Sequence, residues 1–294
     1  MVLALPTAAS RQPNSSNLKA FIRLIFFNHL IQTDSPRSYT SLVIVASKLF
    51  CFYTSADTMH PDPTQQHDPP LSPDDLAALR RVCSPTIANA IETFDLRPRT
   101  EGVTNSGIRC LFPALGAVVG YASTALIMSG QPAAQKRLVS RTAYWEHIRS
   151  APGPRISVVQ DLSAEPGGAY WGEVNSNIHL ALGSLGVITN GTVRDLEEVQ
   201  RTGFHFFSSG VSVSHGFAHL EDFNRPVKIF GMTVYPDDLI HADRHGAVVI
   251  PRSIAHKVLD AVSEIERAER RIIDLCTSDA FSVEELDKLI SPAY

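Results

Sequence analysis

The central third of this chain, from about Ile156 to Phe204, alternates short apolar runs with stretches of helical spacing. No other feature constrains the fold as much. Ile156-Ser157-Val158-Val159-Gln160 and Gly186-Val187-Ile188-Thr189 read as buried strands. Between them Ile178, Leu180, Ala181 and Leu182 fall in a helical pattern. Strand, helix and strand at this spacing is the signature of parallel βαβ units, whose strands are covered on their faces by helices. The pattern predicts an α/β fold: one mixed domain of about 200 residues, sized as single domains commonly are.

Two turns in this region are built to hold an anion or a metal. Gly167-Gly168, followed by Trp171-Gly172-Glu173, is a glycine-rich loop opening into a helix. Asn190-Gly191-Thr192-Val193-Arg194-Asp195 leaves the second strand and opens another helix. Loops leaving the carboxyl ends of strands are where α/β proteins place their chemistry, and a helix start offers unpaired N–H groups to a carboxylate or phosphate. Arg194 suits a substrate carboxylate and Asp195 a hard cation. Each residue also has a plainer reading. Asp195 would serve as an N-cap, Arg194 as a surface cation, and Glu173 as an acid favoured by the helix dipole. Two such turns in consecutive βα units favour the functional reading, because helix starts on one sheet edge converge on one cleft.

Charge and cysteines exclude some classes. Lys+Arg 26 against Asp+Glu 30 gives a net charge of -4, so nothing draws the chain generally to nucleic acid. Cys51, Cys83, Cys110 and Cys276 lack CxxC spacing, which argues against structural zinc and for a reducing compartment. Residues 1–58 are basic and rich in Ser and Thr, with apolar runs at Phe21–Phe27 and Leu42–Ala46. Neither run approaches the roughly 20 apolar residues of a membrane span. These residues read as a non-globular extension upstream of a start at Met59, with a mitochondrial presequence as the alternative. The expected location is cytoplasmic, or mitochondrial on that alternative, with no membrane partner.

Residues 59–72 form a Pro-rich linker, and the domain is expected over 73–294. Ser72-Pro73-Asp74-Asp75 starts a first helix and Ser84-Pro85-Thr86 a second, carrying Ile87, Ala90 and Ile91. Strands are expected at Ile108–Phe112 and Ala117–Ile127, and an amphipathic segment at Leu138–Ile148. After Phe204 come strands at Val227–Phe230, Met232–Tyr235, Leu239–His241 and Ala247–Ile250. A long helix from Ser253 to about Cys276 and a short one over Ser282–Ile290 follow. The sequence carries no internal repeat.

Other constellations have bland readings. Glu197 and Glu198 in a first turn are expected to be solvated. His215, His219, His241 and His245 invite a metal reading, yet there is no HExxH helix, and the helical spacing of His215 and His219 beside Phe217 and Leu220 suggests packing. Gly210–Ser214 lacks the second glycine of a nucleophile elbow. With no GxGxxG and no P-loop, nucleotide cofactors lack support.

The run from Trp171 to Glu198, with Gly172-Glu173 and Arg194-Asp195 at their observed separation, resembles the RraA-like family, which includes the 4-hydroxy-4-methyl-2-oxoglutarate aldolases. Val234–Pro251 resembles that family's closing strand motif, and the likeness spans roughly Leu76 to Cys276. The resemblance implies a compact domain of stacked mixed sheets and helices, of the swivelling β/β/α type, assembled as a homotrimer or homohexamer. It implies Mg2+, or Mn2+, held by Asp195 mainly through water. Arg194 would bind the substrate carboxylate and keto oxygen. The backbone after Gly172, at Glu173, Val174 and Asn175, would grip the pyruvyl carboxylate, with Glu173 as the nearby acid. A further acid would come from a neighbouring subunit, with Glu266 and Glu269 as candidates. Three departures bear on substrate identity: Asp237 in place of a glycine, the polar Val174-Asn175-Ser176-Asn177, and the divergent segment 208–223.

On this reading the protein is a divalent-metal-dependent lyase. It cleaves the C3–C4 bond of a 2-keto acid to give pyruvate, and also decarboxylates oxaloacetate. No lysine lies in either turn, which argues against Schiff-base chemistry. The alternatives are a non-catalytic regulator binding a protein partner, and another metal-dependent enzyme acting on sugar-acid derivatives.

Overall fold

The computed structural model describes residues 69–134 and 139–290. The expectations for residues 1–58, for the linker up to residue 68 and for Leu138 lie outside the described residues. Ser72 starts α1 (Pro73–Leu79) as expected: its Oγ accepts the Asp75 N–H at 3.1 Å and Pro73 takes the first helical position. Packing reaches back to Leu71, which is buried and donates its N–H to Tyr121 Oη at 2.8 Å. α2 (Ser84–Glu92) begins beside Cys83 and buries Ile87, Ala90 and Ile91.

The chain continues through β1 (Arg109–Cys110), β2 (Val118–Met128), α3 (Arg141–Ser150), β3 (Arg155–Asp161), β4 (Ala169–Trp171) and α4 (Glu173–Ala181). Next are β5 (Ser184–Thr189), β6 (Thr192–Val193), α5 (Leu196–Thr202), β7 (His205–Ser208) and β8 (Gly210–Val211). β9 (His219–Phe223), β10 (Val227–Ile229), β11 (Met232–Val234), β12 (Leu239–Asp243) and β13 (Gly246–Ile250) follow, then α6 (Val258–Cys276) and α7 (Val283–Ile290).

The large sheet has the order β1-β7-β5-β3-β2-β12-β13, with β9 also on β2. β2, β3, β5 and β7 are mutually parallel, and the remaining pairings in this sheet are antiparallel. The parallel strands are buried on both faces, in keeping with their largely apolar character. Ile156, Val158, Ile188 and Phe207 meet the β10–β11 hairpin on one face. Ala125, Val159, Val187 and Phe206 meet Tyr144, Trp171, Val193 and Val199 on the other. α1, α2 and α6 share a separate cluster with Val119, Tyr121, Val248 and Ile250.

The second sheet, β4-β6-β8, is parallel throughout and positions the candidate site. β3, β5 and β7 are each followed by one of its strands, and α4 and α5 return the chain to the large sheet. Two strands and a helix thus recur as a unit. The repetition is one of topology, and it leaves no repeat in the residues.

Several expectations need correction. The His215–His219 segment is not helical: a turn leads into β9, where His219 is buried and pairs with Glu221 Oε1 at 2.7 Å. The amphipathic segment forms its helix only from Arg141, where Ser140 caps it through the Ala143 N–H. The last long helix opens as a 3-10 turn over Arg252–Lys257, so the α-helix starts at Val258. Among the described residues no helix is long and apolar enough to cross a membrane.

Candidate active site

Backbone register brings the two turns together. Trp171, the last residue of β4, pairs with Val193, the last of β6. The Arg194 N–H extends this pairing, donating to the Trp171 carbonyl at 2.9 Å. Gly172 therefore lies alongside Arg194 and Asp195. A Cβ at position 172 would fall 2.4 Å from Asp195 Oδ2 and 3.1 Å from Arg194 Cγ. The backbone here is extended, with φ -155 and ψ -165, so proximity and not conformation calls for glycine.

Asp195 does not cap its own helix. It sits in the left-handed region at φ 58 and makes no capping bond to α5. Its Oδ2 instead accepts the N–H of Glu173, the first residue of α4, at 2.9 Å. Arg194 Nε lies 3.7 Å from the same oxygen, with both side chains 38% exposed. An ion pair this open to water contributes at most about 1 kcal/mol. Among the described residues neither Asp195 Oδ1 nor the terminal guanidinium nitrogens of Arg194 have a partner.

The start of α4 is partly occupied. The first N–H groups of a helix have no acceptor within it. The one at Glu173 is taken by Asp195, which leaves those of Val174 and Asn175. Of the backbone expected to grip a carboxylate at Glu173, Val174 and Asn175, the Glu173 N–H is thus engaged by Asp195 in this structure. The Asn175 side chain is also committed, since its Nδ2 donates to the Tyr170 carbonyl at 2.6 Å. Val174 is 72% exposed, and the Glu173 side chain is exposed at the helix start.

Beneath α4 the packing is aromatic. Trp171 is fully buried, with its ring stacked on Phe204 at 5.7 Å between centroids. His179 Nδ1 lies 2.8 Å from the Asn175 carbonyl and so carries the proton donated to it, while Nε2 faces Tyr144 Oη at 3.3 Å. Burial pushes the His179 pKa down to about 4, so the imidazole is a neutral prop.

Among the described residues no three His, Cys, Asp or Glu side chains converge as a metal cage. Near the two turns the donor is the Asp195 carboxylate. That set fits a hydrated hard cation such as Mg2+, which keeps several waters and takes one or two carboxylates. It does not fit a closed protein cage. Glu197 and Glu198 are exposed, in accord with their solvated reading. Glu266 and Glu269 lie on α6, whose buried side chains belong to the cluster of α1 and α2 and not to the one under the turns.

The sequence pattern passed over a third group. Ser129, Asp161 and Asn190 stand just beyond the carboxyl ends of β2, β3 and β5 or close them, and they are joined by hydrogen bonds. The signal was an aspartate ending a buried apolar strand, Asp161, which is 2% exposed.

A family model described as RraA-like, Aldolase/RraA, matches residues 85–249. Protein DlpA of Legionella pneumophila is 29% identical over 128 residues, covering 43% of this chain and 21% of that one. The chain thus spans about a fifth of the length of DlpA. A Halalkalibacterium halodurans protein named for 4-hydroxy-4-methyl-2-oxoglutarate aldolase activity is 27% identical over 162 residues, 53% of this chain and 72% of that one. Among solved structures, Streptomyces coelicolor RraAS2, an unusual member of the RNase ES inhibitor RraA protein family, superposes with a TM-score of 0.56. It is 23% identical and covers 69% of this chain and 97% of its own. That likeness shows the fold, which is the one the sequence resemblance implied.

Proposed function

The chain belongs to the RraA-like family, and from that premise we propose that it is a divalent-metal-dependent lyase releasing pyruvate from a 2-keto acid of the 4-hydroxy-4-methyl-2-oxoglutarate type, with oxaloacetate decarboxylation as a second activity. One observation carries the reading: Arg194, Asp195 and the start of α4 meet at a single exposed point. The guanidinium of Arg194 can engage a carboxylate and the adjacent keto oxygen with parallel N–H donors. The Val174 and Asn175 N–H groups can hold the same carboxylate from the side of the helix start. When the C3–C4 bond breaks, its electron pair moves toward the keto oxygen, and Arg194 meets the negative charge that develops there.

A bound Mg2+ or Mn2+, held by Asp195, would supply Lewis-acid polarisation of the keto group. Asp195 has the oxygen to hold it, because Oδ2 is fixed by Glu173 while Oδ1 stays open among the described residues. The Glu173 carboxylate, exposed beside the helix start, would accept the proton from the C4 hydroxyl and return one to the pyruvyl carbon. Oligomerisation as a trimer or hexamer, bringing a further acid from a neighbouring copy, belongs to the same proposal.

Pyruvate release from 4-hydroxy-4-methyl-2-oxoglutarate and from oxaloacetate, with MgCl2 and with EDTA, tests the reading. Turnover with magnesium and its loss on chelation are expected. No release from either substrate in magnesium, or full activity after exhaustive chelation, would overturn it and favour the non-catalytic regulator.

A further inference from the structure

We propose that Asp161 is a positioning residue that locks the two turns of the candidate site to one another; only its kinetic consequence rests on the lyase reading above. Asp161 closes β3 and faces four groups. Its Oδ2 accepts the Ser129 hydroxyl at 2.5 Å, and its Oδ1 accepts the Ser163 N–H at 2.9 Å. Its backbone N–H donates to Asn190 Oδ1 at 2.7 Å, and its carbonyl accepts from Asn190 Nδ2 at 2.8 Å.

The Ser129 and Asn190 contacts each lead to a turn. A hydroxyl has one proton, and Ser129 gives it to the carboxylate. Its oxygen is then left to accept, and it takes the Gly167 N–H at 3.0 Å. Gly167 opens the loop that reaches Gly172 and Glu173. On the other side Asn190 opens the turn that reaches Arg194 and Asp195. Gly191, next along, passes so near that a Cβ there would lie 3.3 Å from Asp161 Oδ2. The Asp161 side chain thus fixes one turn through Ser129 while its backbone fixes the other through Asn190.

Geometry makes the charge-free isostere informative. Both Asp161 oxygens accept, from two different donors, whereas an asparagine offers one acceptor. In Asp161→Asn the amide oxygen stays with the Ser163 N–H, which can only donate, and the Nδ2 group faces Ser129, whose hydroxyl loses its acceptor with the shape retained. A residue that acts only on global stability would change unfolding without changing local order in the native state.

Backbone amide exchange in the full chain at 25 °C, followed beside pyruvate release, is the test. In Asp161→Asn, exchange at Gly167 and Glu173 should rise at least tenfold, with Ile240 and Val249 of β12 and β13 unchanged. The kcat should fall about tenfold. Ser129→Ala should reproduce both effects, and the double variant should be no worse than Ser129→Ala alone, because Asp161 acts through that hydroxyl. Unchanged exchange at Gly167 and Glu173, an additive double variant, or faster exchange at Ile240 and Val249 as well would overturn the proposal. Should Asp161→Asn not fold, Ser129→Ala alone decides it by the same amides. If the wild type releases no pyruvate, the lyase reading fails while the exchange data still decide the role of Asp161.

Discussion

The carboxylate of Asp195 accepts the backbone N–H of Glu173 at 2.9 Å, although the two residues begin different helices. The second ββα unit thereby closes the first amide of the helix in the unit before it. An anion at a helix start is favoured by the unpaired N–H groups and the dipole. Here the protein supplies that anion itself, and it holds the candidate metal ligand by one oxygen. On the lyase reading a substrate carboxylate meets the helix at Val174 and Asn175, one step beyond the amide that Asp195 occupies.

Asp195 and Arg194 should fail differently when replaced. Asp195→Asn can still accept from the Glu173 N–H, so the fold should survive, but the charge that favours a hard cation is gone. Activity should fall at least tenfold, with a higher magnesium concentration needed for half-maximal rate. Arg194→Lys keeps a positive charge and loses the planar fork. Its kcat/KM should drop by one or more orders of magnitude, roughly 1.4 kcal/mol for each factor of ten. A magnesium titration of pyruvate release in both variants checks the difference, and near-wild-type turnover in either counts against this loop as the active site.

Gly172→Ala should be harmful for a purely steric reason. The φ and ψ at this position suit alanine, but its methyl would meet Asp195 Oδ2 at 2.4 Å. Relief requires Asp195 or α4 to move, which separates the groups that converge here. A loss of activity of tenfold or more is expected, with far-UV circular dichroism unchanged. Wild-type kinetics in this variant would show that the close approach is unimportant.

Acid should destabilise the fold through His179. Burial lowers its folded pKa to about 4, below the unfolded value of about 6.5. The unfolded chain therefore binds the extra proton first as pH falls. The stability this residue contributes is whole above pH 6.5 and is lost as pH drops toward 4, amounting to roughly 2 kcal/mol by pH 5. Urea unfolding at pH 7 and pH 5 measures the loss, and His179→Gln should make it smaller by about that amount. An unchanged pH dependence in the variant would remove His179 as the cause.

Oligomeric state is directly measurable. α6 and α7 carry apolar side chains that the single chain leaves open, including Ile273 at 48% and Val283 at 70% exposure. Light scattering at micromolar concentration should return a trimer or hexamer of the 32.1 kDa chain. A monomer would count against any site completed by a neighbouring copy.

Periodicity and turn chemistry made much of this protein legible from its residues alone. The strands around Val118–Met128, Arg155–Asp161 and Ser184–Thr189 are apolar runs buried on both faces, and such runs need no distant information to be read. The two helix starts at Glu173 and Leu196 follow from glycine-bearing turns after strands, and the Gly172-Glu173 and Arg194-Asp195 pairs were visible as chemistry. The small sheet was not legible, because strands of two or three residues are too short to show alternation. Nor was the exchange by which Asp195 serves α4 in place of α5, since an N-cap pattern is local while the donor it meets, the Glu173 N–H, was chosen by the register of Trp171 against Val193. The same holds for Asp161: its place in the sequence says only that a strand ends there. The partners that give it a role, Ser129 and Asn190, stand 32 and 29 residues away and meet it only because the parallel strands align their carboxyl ends.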